Sequence, residues 1–215
     1  LLSSIEILDS LGCDKALRDI HISRGLSRII DQTRRPLSSK MMALIEDEIS
    51  LPAARNLVLE QNDKYLSIKR RSLSRPDNLK SNDVVRDMSE GEKILRKLIE
   101  PYKGKVILVD FWGTWCGPCR AALSHSQDIY EYMKPYDIVF LYLANRSPEE
   151  TWKNIIKEYN VTGDNVVHYN LPEAQQKAIE NFLKVDSFPT YKLIDKEGNI
   201  LDVNADPTHT DAFAK

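Results

Sequence analysis

Val106-Ile107-Leu108-Val109-Asp110-Phe111-Trp112-Gly113-Thr114-Trp115-Cys116-Gly117-Pro118-Cys119 is an apolar run that ends on two cysteines two residues apart. A short continuous apolar run reads as a strand covered on both faces, and the cysteine segment after it reads as the first turn of a helix. That spacing lets both sulfurs sit on one helical turn, close enough to bond. Cys116 then lies at the helix N-terminus, where unpaired N–H groups and the positive end of the dipole favour a thiolate. Such a position can bring a thiol from its usual ~8.5 into the range ~3.5–7.5. Pro118 fits there because its missing N–H would have had no partner in that turn. Cys119, one turn further in, is expected to be more buried and protonated. The pattern predicts an activated nucleophile, Cys116, and a resolving thiol, Cys119. A bare Cys-x-x-Cys also suits a zinc site, so the spacing alone does not decide between them.

The rest of the run does. Val109-Asp110-Phe111-Trp112-Gly113-Thr114-Trp115-Cys116-Gly117-Pro118-Cys119 resembles the active site of thioredoxin-like thiol–disulfide oxidoreductases, and Phe111-Trp112-Gly113-Thr114-Trp115-Cys116 resembles the TlpA/ResA branch of bacterial cell-envelope reductases. The resemblance covers roughly residues 89–215. It implies a protein disulfide reductase whose only redox group is the Cys116–Cys119 disulfide, with no metal and no other cofactor. It further implies disulfide-bearing protein substrates, a membrane-bound or soluble thiol as electron donor, and a periplasmic or cell-envelope setting. Gly117-Pro118 is the dipeptide of the reducing thioredoxins, which suggests a potential near about −270 mV.

The same resemblance distributes roles. Asp110 is the buried acid that takes the proton of the resolving cysteine. Burying a carboxylate in an apolar strand raises its pKa; the alternative is a strand-end aspartate that reaches solvent. Pro189, in Ser187-Phe188-Pro189-Thr190, resembles the family's cis-proline beside the disulfide, which would leave the Phe188 backbone free to pair with an extended substrate. Trp115, with Gly117 and Pro118, would line the rim that meets the substrate, and Trp112 would pack beneath it. The strand at 138–143 has no lysine where cytosolic thioredoxins place one near the acid.

Around this centre, the chain has 215 residues, 42% apolar and 29% charged, as an ordinary globular protein does. A net charge of −2 gives no reason to expect a nucleic-acid partner or an anionic membrane surface. No apolar run approaches the ~20 residues that cross a bilayer. Leu1-Leu2-Ser3-Ser4 lacks the flank and core of a secretory signal, and the chain reads as a fragment of a longer precursor, so membrane contact would come only through a missing N-terminal anchor.

Residues 1–88 read as a helical region and linker, 89–215 as the thioredoxin-like domain with its last helix cut short. Apolar spacing predicts helices carrying Ile5, Leu8, Leu11, then Leu17, Ile20, Leu26, Ile29 and Ile30; a second from Pro36 with Met41, Leu44, Ile45 and Ile49; a third after Pro52 with Leu57, Leu59, Leu66 and Ile68. The polar stretch from Arg70 to Asp87 reads as the linker. Ser89 is expected to cap the next helix, with Glu92 completing a capping box. The active-site helix is expected from Pro118 to Lys134, a strand at 138–143, and a helix with Pro148 in its first position. An added strand is placed at 166–169, a helix at 172–183, a hairpin from 190–194 to 200–203, and a last helix from Thr208. This order predicts an α/β fold with a mixed central sheet and helices on both faces.

Other readings are weaker. Peroxide reductases on this fold use a Pro-x-x-x-Thr-x-x-Cys pattern, which is absent. Copper carriers of the related kind separate their cysteines by three residues and add a distant histidine. His21, His125, His168 and His209 show no ligand spacing and read as surface or core residues, and Cys13 reads as a buried apolar filler. The helical region could also be a partner-binding or dimerising module.

Overall fold

The computed structural model describes residues 2–201 and 205–207. Its chain divides into two compact units, Leu1–Arg71 and Ser72–Lys215.

The first unit is helical: α1 Leu2–Ser10, α2 Lys15–Thr33, α3 Ser39–Glu48 and α4 Pro52–Arg70. Asp14 caps α2 by accepting the Ala16 and Leu17 N–H groups, and Ser38 caps α3 through Met41 N–H. The second helix therefore begins at Ser39 rather than at Pro36, because the hydroxyl of Ser38 sets its start. Ile5, Ile22, Leu26, Ile30, Ile45, Val58, Tyr65 and Ile68 form the core. Leu11, Leu17, Ile20 and Leu57, expected inside, are exposed. On an apolar-rich helix several stripes satisfy the same period, and packing chose the neighbouring one. Cys13 is also not fully buried; it follows α1 and is half-exposed with a free thiol.

The second unit begins earlier than residue 89. Residues 72–88, expected as a linker, are pinned to the α/β body by the polar residues that suggested a loop. Asn78 exchanges two hydrogen bonds with Gly163, Nδ2 donating to its carbonyl and Oδ1 accepting its N–H, each at 3.0 Å. Leu79 forms a parallel bridge with His168, Val85 is buried in the core, and Gln175 Nε2 donates to the carbonyls of Val85 and Met88. Helix α5, Gly91–Ile99, then starts after Glu90, and no side chain caps it. The expected Ser89 capping box does not form. The start is fixed by a close approach instead: a Cβ on Gly91 would lie 2.0 Å from the Ala178 carbonyl oxygen.

Five strands follow: β1 Val106–Trp112, β2 Ile138–Ala144, β3 Val166–Tyr169, β4 Thr190–Ile194 and β5 Ile200–Leu201. They lie in the order β3-β2-β1-β4-β5. The β1, β2 and β3 pairings are parallel, and β4 runs antiparallel to β1 and β5. Between them run α6 Gly117–Leu123, α7 Ser126–Met133, α8 Glu149–Glu158 and α9 Glu173–Phe182. The single active-site helix expected to Lys134 is broken at Ser124 and His125. The hydroxyls of Ser124 and Ser126 donate to the carbonyls of Ala121 and Leu123 there, competing with the backbone ladder. Pro148 precedes α8 as its cap rather than opening it. The last two residues of the expected hairpin and the expected last helix lie outside the described residues.

Period-two alternation along β1 sorts its side chains into two cores. Ile107, Val109 and Phe111 pack with α5 and α9, around Ile94, Leu98 and Ile179. Leu108 and Trp112 pack on the opposite face with Cys119, Leu123, Phe140 and Trp152. Asp110, between Leu108 and Trp112, is thereby turned toward α6 and the cysteines.

Candidate active site

The site is assembled where β1 ends and α6 begins. Cys116 is the N-cap of α6, and its sulfur accepts the backbone N–H of Cys119 at 3.1 Å. The two cysteines form a disulfide with Cα atoms 5.3 Å apart. Cys119 is the more enclosed, 1% exposed against 4% for Cys116. Gly117 and Pro118 lie exposed on the first turn. The peptide bond between Phe188 and Pro189 is cis. Phe188 belongs to the apolar cluster that holds both cysteines, and its ring meets Trp115 edge-on at 5.4 Å between centroids. Trp115 is half exposed and forms a rim, whereas Trp112 is sealed in the core below.

The rim is held from beneath. Asn145 N–H donates to the Trp112 carbonyl at 2.7 Å, and the Asn145 carbonyl accepts the Trp115 indole N–H at 3.2 Å. The Ser147 hydroxyl donates to that same carbonyl and accepts Thr114 N–H. A Cβ on Gly113 would sit 2.6 Å from the Trp115 indole nitrogen, so any larger residue there would displace the rim tryptophan. Arg146 takes a left-handed conformation, φ 39°, and carries its guanidinium over the Trp115 ring at 5.9 Å. Strain of this kind is tolerated where the surroundings over-determine it, commonly at functional sites.

Asp110 is buried, so it does not reach solvent at the strand end. The register places Tyr142 of β2 and Tyr191 of β4 on either side of it. Together with Ser126 they line a void of about 10 Å³. Asp110 Oδ1 has no hydrogen-bond partner among the described residues. Burial pushes its pKa up to about 8, and the like charge of Asp206 adds to the rise. Tyr142 and Tyr130 share a hydrogen bond of 2.7 Å between hydroxyls, and burial drives both phenols above their ordinary range. The strand noted for its missing lysine, β2, thus sets a tyrosine opposite Asp110.

The residues singled out from sequence are brought to one end of the sheet: Cys116, Cys119, Trp115, Gly117 and Pro118 from the strand-to-helix junction, Phe188 and Pro189 from the segment before β4. Asp110 lies beneath them. Sequence reading missed Tyr130, Tyr142, Asn145, Glu180 and Asp206. Only Tyr142 had a usable signal, since pairing Val106 with Ile138 in parallel sets it opposite Asp110. His168, read as a bland histidine, is a core residue: it stacks on Tyr142 and makes a 2.7 Å hydrogen bond to the Val161 carbonyl.

A redox-active pair capping a helix after a central strand, with a cis X–Pro bond beside it, defines a thioredoxin-like redox domain. Comparison with known proteins places it more closely. Residues 104–200 match the thioredoxin-like family model. The chain is 32% identical over 123 residues to the thiol–disulfide oxidoreductase ResA of Bacillus cereus, covering 56% of this chain and 64% of that protein. It is 30% identical over 135 residues to ResA of Halalkalibacterium halodurans, covering 62% and 70%. Among solved structures, the thioredoxin domain of a thiol–disulfide oxidoreductase from Bacteroides vulgatus is 26% identical, with 54% of this chain and 82% of that one covered and a TM-score of 0.45. This chain belongs to the thioredoxin-like thiol–disulfide oxidoreductases of the ResA type. It spans just under two thirds of the length of the Bacillus cereus relative.

Proposed function

We propose that this protein reduces disulfide bonds in protein substrates. The observation that carries the reading is the Cys116–Cys119 pair at the start of α6, its outer sulfur already accepting a backbone N–H and its rim built from Trp115 and Phe188. In the reduced protein the Cys116 thiolate attacks one sulfur of a substrate disulfide. The other substrate sulfur leaves as a thiol, and a mixed disulfide remains on Cys116. Cys119 then gives up its proton and attacks Cys116, releasing the second substrate thiol. Two electrons have passed to the substrate, and the enzyme holds the intramolecular disulfide found in this structure. Asp110, buried beneath the helix that carries both cysteines, is the proton acceptor for Cys119. Its raised pKa makes it a base whose charged form grows in through about pH 8.

Phe188 is placed to receive the substrate chain. Neither its N–H nor its carbonyl is hydrogen-bonded among the described residues, and the ladder with β1 begins only at Thr190. An extended segment laid across Phe188 and Pro189 would bring its cysteine to the rim. Turnover needs no metal and no organic cofactor, only a thiol donor to regenerate the pair. The cell-envelope setting and the class of donor are carried by the family resemblance. No helix among the described residues is long and apolar enough to cross a membrane.

Insulin reduction by wild type, Cys116→Ser and Cys119→Ser tests the assignment. Cys116→Ser should lose turnover, while Cys119→Ser should accumulate mixed disulfides that thiols release. Turnover by Cys116→Ser would overturn the choice of nucleophile.

A further inference from the structure

A second cavity, of about 410 Å³, opens beside the redox pair. Its walls are the loop after β2 (Asn145, Arg146), one face of α9 (Gln176, Glu180) and the segment leading to Phe188. Phe188 is therefore shared: one neighbour is the Trp115 rim, the other this cavity.

Three of the lining residues are polar and buried. Glu180 is 2% exposed, Gln176 1% and Asn145 6%. Gln176 and Glu180 stand one helical turn apart, on the same face of α9. Asn145 Nδ2 donates to Glu180 Oε1 at 2.7 Å, and Gln176 Nε2 donates to that same oxygen at 3.0 Å. Glu180 Oε2 takes part in neither bond. The Nε2 contact fixes the orientation of the Gln176 amide, so Oε1 faces away from Glu180, and it has no partner. No ion pair to Glu180 forms among the described residues, although Arg146 and Lys177 also line the cavity; Arg146 carries its guanidinium over Trp115. A buried carboxylate held by two neutral amide donors and no cation, beside a buried amide oxygen with no donor, is costly unless something supplies the missing charge and donor.

We propose that this cavity is a substrate subsite that takes a guanidinium side chain from the chain being reduced, held between Glu180 and Gln176. Two acceptors on adjacent turns suit a planar fork of N–H donors better than a point charge. The proposal rests on the disulfide-reductase reading and adds a sequence preference to it: an arginine a few residues from the attacked cysteine. Asn145 links the two halves of the site, because its side chain holds Glu180 while its carbonyl holds Trp115.

Disulfide-bridged peptides carrying arginine at one of three positions on either side of the attacked cysteine test this, each paired with a citrulline peptide of the same shape. At one position wild type should reduce the arginine peptide about tenfold faster in kcat/KM, the factor that about 1.4 kcal/mol represents. Glu180→Gln should bring that ratio to about one. Equal rates at every position, or a preference that survives Glu180→Gln, would overturn the subsite. Should Glu180→Gln not fold, the wild-type ratio decides alone, together with glutamate peptides, which must then be slower than citrulline ones. Reduction of insulin separates the two claims. Insulin turnover without a peptide preference removes the subsite and leaves the reductase; failure on insulin and all peptides removes both.

Discussion

Asp19 in the helical unit and Asp110 in the α/β unit are both closed off from solvent, and the two are held in opposite ways. Burial raises Asp19 as well, but its Oδ2 accepts Leu51 N–H at 2.6 Å and the N–H and hydroxyl of Ser50 at 2.8 Å each. Those donors outweigh desolvation and hold its pKa below the ordinary carboxylate range. Asp110 has the desolvation without the donors. The first arrangement ties α2 to the turn between α3 and α4, and it is structure. The second keeps a carboxyl poised near neutral pH at the fold's expense, a local inconsistency of the kind proteins keep where chemistry is done. Opposite responses to the same Asp→Asn change would establish the contrast.

The largest effect is expected at Asp110. Its folded pKa is above its unfolded one, so the folded state binds more protons between about pH 4 and pH 8, and stability from this group is lost as pH rises through that window. Asp110→Asn removes the loss. At pH 9 the oxidised variant should be more stable than wild type by about 4 kcal/mol, after the cost of burying an amide, and at pH 4, where that cost stands almost alone, less stable by about 1 kcal/mol. His168, lowered by burial to about 4, gives stability that is lost as pH falls from 6.5 through 4, but it is common to both proteins and cancels. Chemistry should move the other way. Resolution of the mixed disulfide in wild type should quicken about tenfold between pH 7 and pH 9 as the carboxylate forms, and Asp110→Asn should flatten that rise. Stopped-flow release of substrate thiol reads one effect and urea denaturation the other. A variant that is destabilised at pH 9, or that keeps the pH-dependent resolution, breaks the contrast.

Gly91→Ala comes next, and it separates packing from chemistry within the α/β unit. Its Cβ would collide with backbone, the Ala178 carbonyl and the Ile179 nitrogen, which cannot swing aside as a side chain can. A loss of about 3 kcal/mol is expected, at all pH values alike, read by the denaturation midpoint. A neutral result would mean that α5 shifts freely on α9.

The α/β unit was legible because its signals were local. An apolar run, a two-residue cysteine spacing and a proline before a strand each name their element without knowledge of the rest, and the first four strands fall where the sequence put them, with the fifth matching over its described residues. What escaped depends on pairing. Tyr130, Glu180 and Gln176 become site residues only once α7 and α9 are packed on the sheet, and on their own helices they read as ordinary polar or aromatic positions. Residues 72–88 were misread because Asn78 and Pro76 look the same whether they turn a free linker or lock it to a strand. In the helical unit the helices were plain, but their buried stripe was not: Ile22 and Val58 won over Ile20 and Leu57 through contacts that no single helix specifies.

Asp19→Asn gives the smallest effect and the clearest sign. An asparagine can present its carbonyl to at most part of the donor cluster formed by Ser50 and Leu51, and its own NH₂ is then set among donors. At pH 7 the helical unit should lose about 2 kcal/mol, the scale of a weakened set of charge-assisted bonds. Because the folded pKa of Asp19 is lowered, its contribution is present above the unfolded value near 3.8 and is lost as pH falls through the folded one. The gap between wild type and variant must therefore close toward acid, whereas at Asp110 it opens toward base. Amide hydrogen exchange over α2 and the Ser50-Leu51 turn measures it locally, without requiring the two units to unfold together. Exchange there that is unchanged at pH 7, or a gap that widens below pH 4, would show that Asp19 is held by its surroundings rather than holding them.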